Sequence, residues 1–381
     1  MRGLSIALLV CLVLVMLPVS VGAVDMQIPA KSALLMDIAT GTVLYEQNAH
    51  EKLAPASVTK VMTMLLIMEA IDAGKIGWND TVIASEAAAA KGGSQIYLKV
   101  GESMSVTDMV KSIAVSSAND CACAMAEHIA GSETGFVELM NKRAAELGMN
   151  DTHFVNCTGL DDDPAAKEHL TSAYDIAVMS RELMKNHPDI QKFTTIWMDT
   201  VRNGSFGLSN TNKLVRFYPG ATGLKTGFTS AAGYCLSATA QRNGMGLVAV
   251  VMGCETSQQR FGACKQLLDY GFANYALVSP ETEALSVPVK LGTVDAVAAV
   301  PQEAVQLLVD KAQVNQVRIH TELEEFVNAP VSKGQRLGTL SVLVGEQTIS
   351  QMPLVAAEAV PRLTWSDLFL MVLRKLAMAK G

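Results

Sequence analysis

Basic runs, internal repeats and low-complexity stretches are all missing from this chain. The lack of a basic run, with a formal net charge of −7, argues against a nucleic-acid-binding surface. The lack of repeats excludes a stacked-repeat architecture. Disorder is excluded too, because half of the residues are hydrophobic and only 18% are charged. Cysteine is scarce, at seven in 381 residues, and Cys11 lies in the N-terminal apolar stretch. The remaining six (Cys121, Cys123, Cys157, Cys235, Cys254 and Cys264) are an even number, which permits disulfides in an oxidising compartment. Cys121 and Cys123 stand two apart on an expected helix and point to different faces, so they do not pair with each other. A zinc site built on these two with His128 is the alternative; the favoured reading is buried thiols acting as small apolar side chains. No metal or cofactor is therefore expected.

What is present starts with MRGLSIALLVCLVLVMLPVSVGA. Arg2, the apolar run Leu4–Leu17 and the small residues Val21, Gly22 and Ala23 have the layout of a secretory leader cut after Ala23. A retained anchor is the alternative, and either reading puts residues 24 onward outside the cytoplasm. From 24 to 277, strand-like and helical runs alternate, which suggests one sheet covered by helices and hence an α/β or α+β domain. From 278 to 360, short alternating strands predict a small all-β module. The end, 361–381, reads as an amphipathic helix. Trp365, Leu368, Phe369, Val372 and Leu376 share a stripe, with Asp367, Arg374 and Lys380 off it. Its apolar run is too short to span a bilayer, so it is expected to lie in a membrane interface. Docking on the protein's own surface is the other reading.

The chemistry lies in LAPASVTKVMTMLLIM, residues 53–68, where a lone lysine sits in an almost wholly apolar helix. Pro55 suits a helix start. Ser57 and Lys60 are three apart, so they share a face. Desolvation lowers a lysine pKa, so Lys60 can take the serine proton and activate Ser57 as a nucleophile. Alone, Ser-x-x-Lys is weak. Two further motifs follow in order, Ser117-Ala118-Asn119 and Lys225-Thr226-Gly227, each occurring once. Lys225 offers a second cation that lowers a neighbouring lysine's pKa and attracts a substrate carboxylate, to which Thr226 can donate. Gly227 would let a substrate backbone approach a sheet edge.

This trio is the signature shared by class A β-lactamases and penicillin-binding proteins. With GGSQIYLKVGE, NKRAAELGMNDTHFVNCTGLDD and APVSKGQRLGTLSVLVGEQTISQMPLVAAE, the chain resembles the low-molecular-weight penicillin-binding proteins of the D-alanyl-D-alanine carboxypeptidase family over nearly its full length. The resemblance implies an acylated Ser57 with Lys60 as its base. It also implies that Ser117 relays a proton to the leaving amine, and that Asn119 orients Lys60 and the substrate amide. Lys225 and Thr226 would hold the terminal carboxylate. The backbone N–H groups of Ser57 and Phe228 would form the oxyanion hole, with Arg260 near the carboxylate. Implied partners are stem peptides ending in D-Ala-D-Ala, β-lactams as covalent inhibitors, and the outer face of the cytoplasmic membrane.

Other readings compete. A β-lactamase needs a glutamate-activated water, and Glu138-x-x-Asn141 is read instead as a solvated helix face. A penicillin sensor would need membrane-spanning signalling segments, and a structural wall-binding module has no reason to keep Lys60. Transpeptidation or endopeptidase action shares the acyl-enzyme and is the nearest rival. The expected function is a serine-type carboxypeptidase that removes the terminal D-alanine.

Overall fold

The computed structural model describes residues 26–279, 284–367 and 369. The expected leader and most of the expected anchor lie outside them. Ser32–Asp37 and Val43–Gln47 form an antiparallel hairpin. Ser32–Asp37 also pairs with Met245–Cys254, more than 200 positions away, and the sheet continues through Gly233–Arg242 to Ala221–Thr229 at its edge. Every pairing in it is antiparallel, which makes the class α+β.

Neighbouring residues of a strand face opposite ways, and this sheet has a core on both faces. Leu34, Met36, Val248 and Val250 join the large helical core. Ala33, Leu35, Leu247 and Ala249 join a second core, covered by the Ser257–Asn274 helix. Thr256 and Gln259 start that helix with reciprocal capping bonds. In the helical core, Lys60–Asp72 is buried on nearly every side, as its unbroken apolar sequence requires. Thr63, its one polar interior residue besides Lys60, donates to the Cys157 carbonyl at 2.6 Å.

The C-terminal part is an all-β module with its own core, including Val287, Leu340 and Leu354. Its sheet runs from Val317–Leu323 through Arg336–Val344, Gln347–Ala356, Ala296–Pro301 and Leu285–Lys290 to Val327–Asn328. The strand Tyr275–Val278, at the end of the long helix, already pairs with Leu307–Asp310. All six described cysteines are free and buried. His128 is exposed whereas Cys121 and Cys123 are fully buried, so the zinc alternative has no geometry behind it.

Candidate active site

The helix of Lys60 is entered through a single 3-10 turn, Ala56–Thr59, so Ser57 and Lys60 fall on one face. Ala56 takes a left-handed φ of 47° to make that entry. Two glycines grip the turn. A Cβ on Gly227 would come within 2.6 Å of the Pro55 carbonyl, and one on Gly159 would collide with the Ala56 carbonyl. Gly227 is therefore glycine because the Ser57 turn packs against it, a different reason from the substrate approach expected from sequence.

Lys60 is fully buried, while Ser57 is partly exposed. Lys60 Nζ donates to Ser57 Oγ at 2.9 Å and to the Thr158 carbonyl at 2.7 Å. Burial brings its pKa down from 10.5 to about 7, against small opposing effects from Cys157 and Asp120. Near neutrality a lysine so placed exists in both forms. It can accept the serine proton, which an ordinary surface lysine cannot do.

Ser117 ends the Val106–Ser116 helix in a left-handed conformation, φ 62°, and Asn119 begins the next helix, Asn119–Ala130. The Asn119 amide nitrogen donates to the Gly92 carbonyl at 2.7 Å, so it does not orient Lys60 as expected; the Thr158 carbonyl does that. Ser117 Oγ and Asn119 Oδ1 are buried with no hydrogen-bond partner among the described residues. Such groups are costly unless a ligand satisfies them.

Lys225, Thr226 and Gly227 lie on the edge strand Ala221–Thr229. Lys225 Nζ donates to the Thr226 carbonyl at 2.9 Å. Burial, then the charges of Lys60 and Arg260, push its pKa well below an ordinary lysine's. Thr226 Oγ1 donates to Thr211 Oγ1 at 2.7 Å, and the Thr211 N–H bonds the Val115 carbonyl, two residues before Ser117. The three motifs thus meet through short bridges: Gly227 to Pro55, and Thr226 to Val115 by way of Thr211. Phe228 exposes its ring and stacks on Tyr234 with centroids 4.3 Å apart. Arg260 is buried, and Nη1 donates to the carbonyls of Gly227 (3.0 Å) and Cys235 (3.4 Å). Its guanidinium therefore braces the edge strand at Gly227 and acts on the neighbouring Lys225 through its charge.

Sequence reasoning missed the loop that carries Thr158. Asn156 Oδ1 accepts from Thr158 N, Thr158 Oγ1 and Gly159 N, and its Nδ2 donates to the Leu160 carbonyl. An Asn three positions before a Gly was the available signal. His169 Nδ1 accepts from Val155 N and its Nε2 lies 2.8 Å from Thr59 Oγ1. Burial lowers its pKa to about 4, so the ring is neutral and Nε2 is its donor. Asn141 was expected on a solvated face, but both its amide atoms bond the Phe154 backbone at 2.8 Å. It clamps this same loop. Among the described residues, one group has metal-ligand spacing, Glu69, Glu182 and His187. Arg143 already bridges its two carboxylates at 2.7 and 2.8 Å.

Residues 19–256 match the family model described as D-alanyl-D-alanine carboxypeptidase, and 272–362 match the penicillin-binding protein 5 C-terminal domain. The chain is 44% identical over 336 residues to the D-alanyl-D-alanine carboxypeptidase DacF of Bacillus subtilis, covering 86% of this chain and 85% of that one. With the D-alanyl-D-alanine carboxypeptidase DacA of Escherichia coli it shares 35% over 349 residues, 88% of this chain and 84% of the other. Penicillin-binding protein 5 from Haemophilus influenzae superposes with a TM-score of 0.76 at 31% identity, covering 90% of this chain and all of that one. Penicillin-binding protein D2 from Listeria monocytogenes, solved in its ampicillin-bound form, superposes over 65% of this chain and 99% of that one, with a TM-score of 0.59 at 32% identity. On these matches, and with its three motifs gathered around one buried lysine, the chain belongs to the D-alanyl-D-alanine carboxypeptidase family.

Proposed function

We propose that this protein is a serine-type carboxypeptidase that removes the terminal D-alanine from peptidoglycan stem peptides ending in D-Ala-D-Ala. The observation that carries the reading is the 2.9 Å contact between Ser57 Oγ and a fully buried Lys60 whose pKa is brought to about 7.

In this mechanism Ser57 Oγ gives its proton to Lys60 and attacks the carbonyl carbon of the penultimate D-alanine. Backbone N–H groups of Ser57 and Phe228 receive the negative charge that develops on the carbonyl oxygen. The C–N bond breaks as the proton passes through Ser117 to the amine, and D-alanine leaves. Water, deprotonated by the same lysine, then hydrolyses the ester on Ser57. Lys225 and Thr226 hold the terminal carboxylate. That carboxylate would raise the depressed Lys225 pKa and restore its charge, so the cation forms where the substrate needs it. Arg260 acts through Gly227 as a positioning residue. The unpartnered Asn119 Oδ1 accepts from the substrate amide. A β-lactam acylates Ser57 by the same attack, with opening of its ring.

The protein is exported through its N-terminal leader and held on the outer face of the cytoplasmic membrane by its C-terminal segment. Support for the second part comes from a helix start at Thr364. Its Oγ1 accepts from Asp367 N, and Asp367 Oδ2 accepts from Thr364 N. Trp365 and Phe369 beyond it are largely exposed. The division proposed is 24–277 for catalysis and 278–360 for the β module, although Tyr275–Val278 already pairs with Leu307–Asp310 of that module.

The activity is tested by release of D-alanine from a peptide ending in D-Ala-D-Ala. Ser57→Ala should reduce it to background, and penicillin followed by mass spectrometry should mark only the peptide containing Ser57. No release by the unmodified protein would refute the assignment.

A further inference from the structure

Leu291 stands in the turn that joins Leu285–Lys290 to Ala296–Pro301, with a left-handed φ of 58° and nearly half of its surface (48%) in solvent. Asparagine, aspartate or glycine would suit both that φ and that exposure; leucine suits neither. The turn is firmly held. Val289 N donates to the Asp295 carbonyl at 2.8 Å, Leu363 N to the Leu291 carbonyl at 2.9 Å, and Thr293 N to the Pro361 carbonyl at 3.0 Å. Gly292 is buried where a Cβ would meet Val289 and Val360 at 2.7 and 2.9 Å. The smallest residue of the turn is therefore inside, while its two bulky apolar ones, Leu291 and Val294 (46%), are outside. Strain kept at an exposed apolar position calls for a reason outside the fold.

What lies beside the turn supplies one. The bonds from Leu363 and to Pro361, with the bridge between Gly292 and Arg362, lay the end of the β module directly along it. Trp365 follows within about 7 Å of Leu363, and both it and Phe369 are largely exposed. Two segments distant in sequence thus present apolar side chains at one end of the module. Lys290 and Arg362 are exposed at the base of the turn, which carries a single acid, Asp295. From the same point the chain continues into residues that include Arg374, Lys375 and Lys380. An apolar tip ringed by cations matches the boundary of an anionic bilayer, with acyl chains for the one and phosphates for the other.

We propose that the Leu291–Val294 turn dips into the membrane beside the C-terminal segment, as a second contact that fixes how the β module stands on an anionic phospholipid bilayer. This rests on the membrane-surface reading above and goes beyond it, because that reading places the contact in the C-terminal segment alone. Two half-exposed side chains offer too little apolar area to hold the protein by themselves, so the turn strengthens the segment's binding without replacing it.

The test uses the mature full-length chain and vesicles containing anionic phospholipid. Leu291→Asn with Val294→Thr should weaken binding about tenfold. Because asparagine accepts the left-handed φ, this variant should melt no lower than the unmodified protein and release D-alanine from a soluble peptide at the same rate. Ile83→Thr, which removes an apolar side chain 64% exposed on the catalytic domain, should leave binding unchanged. Val294→Cys gives a site for a polarity-sensitive fluorophore, since the six described cysteines are buried. Its emission should shift to the blue when vesicles are added. Unchanged binding by the double variant, a comparable loss in Ile83→Thr, or a label that does not respond to vesicles would each overturn the proposal. A label already blue-shifted without vesicles would overturn it too, because the turn would then be covered by the protein's own C-terminal segment. No binding by the unmodified chain would bring down the membrane-surface reading itself, and the proposal with it.

Discussion

Lys60 keeps an amine fully buried, 2.9 Å from Ser57 Oγ, at a pKa of about 7. The unfolded lysine holds its proton up to about pH 10.4. Between about pH 7 and 10.4 the unfolded chain therefore binds more protons than the folded one. Through this group, stability rises with pH across that window and levels off above it. Activity has the same sign at its lower edge, because only the neutral amine accepts the serine proton. Acylation of Ser57 by labelled penicillin should fall about tenfold per pH unit below pH 7. A rate that is flat from pH 5 to 8 would remove Lys60 as the base. Lys60→Met should abolish D-alanine release and still melt higher at pH 7, by roughly 1–4 kcal/mol of stability, because an apolar chain removes the cost of burying the amine. Gly227 is the steric counterpart. Gly227→Ala drives a methyl toward the Pro55 carbonyl, 2.6 Å away, and should slow acylation far more than it lowers the melting temperature.

At the scale of elements, the loop from His153 to Leu160 does for the lysine what no motif announces. It is held by Asn156 from within, by Asn141 from the Glu133–Glu146 helix, and by His169 from below, and it delivers the Thr158 carbonyl to Lys60 Nζ. Asn156→Ala removes an acceptor of three hydrogen bonds and should cost about 1–3 kcal/mol of stability by denaturant unfolding. It should also slow penicillin acylation by about tenfold or more, as a misplaced base does. A variant that melts lower but acylates at full speed would show that the loop merely fills space. The helix of Ser57 and Lys60 was legible because its logic is local: three positions, one face, one charge in apolar surroundings. The Thr158 carbonyl was not, because every residue carries one and only tertiary placement selects it. Asn119 and Arg260 were located as residues, but their partners, Gly92 and Gly227, depend on contacts 27 and 33 positions away in sequence.

For the whole molecule, the division into a helix-covered sheet and a β module could be read from the change in hydrophobic period near 278, since each period reflects one kind of backbone. Strand order could not. Nothing in SALLMD names its partner across more than 200 positions, and the Ser32–Asp37 pairing with Met245–Cys254 is set by which apolar faces the two cores accept. The C-terminal segment is where the molecular layout becomes testable. Cutting after Leu363 spares the bridge between Gly292 and Arg362 and the Leu363 N–H to Leu291 bond, so the β module keeps its closure. The cut removes Trp365, Phe369 and the basic residues Arg374, Lys375 and Lys380. An interfacial helix binds through buried apolar area aided by attraction to anionic lipid. The mature chain should therefore co-sediment with vesicles containing anionic phospholipid, and removal of 364–381 should leave the protein in the supernatant with D-alanine release within about twofold of the intact chain. Trp365→Ser with Phe369→Ser should weaken sedimentation in the same direction. Undiminished sedimentation of the shortened protein would move the membrane contact elsewhere on the molecule, whereas a loss of activity on truncation would mean that the segment docks on the protein and supports its fold.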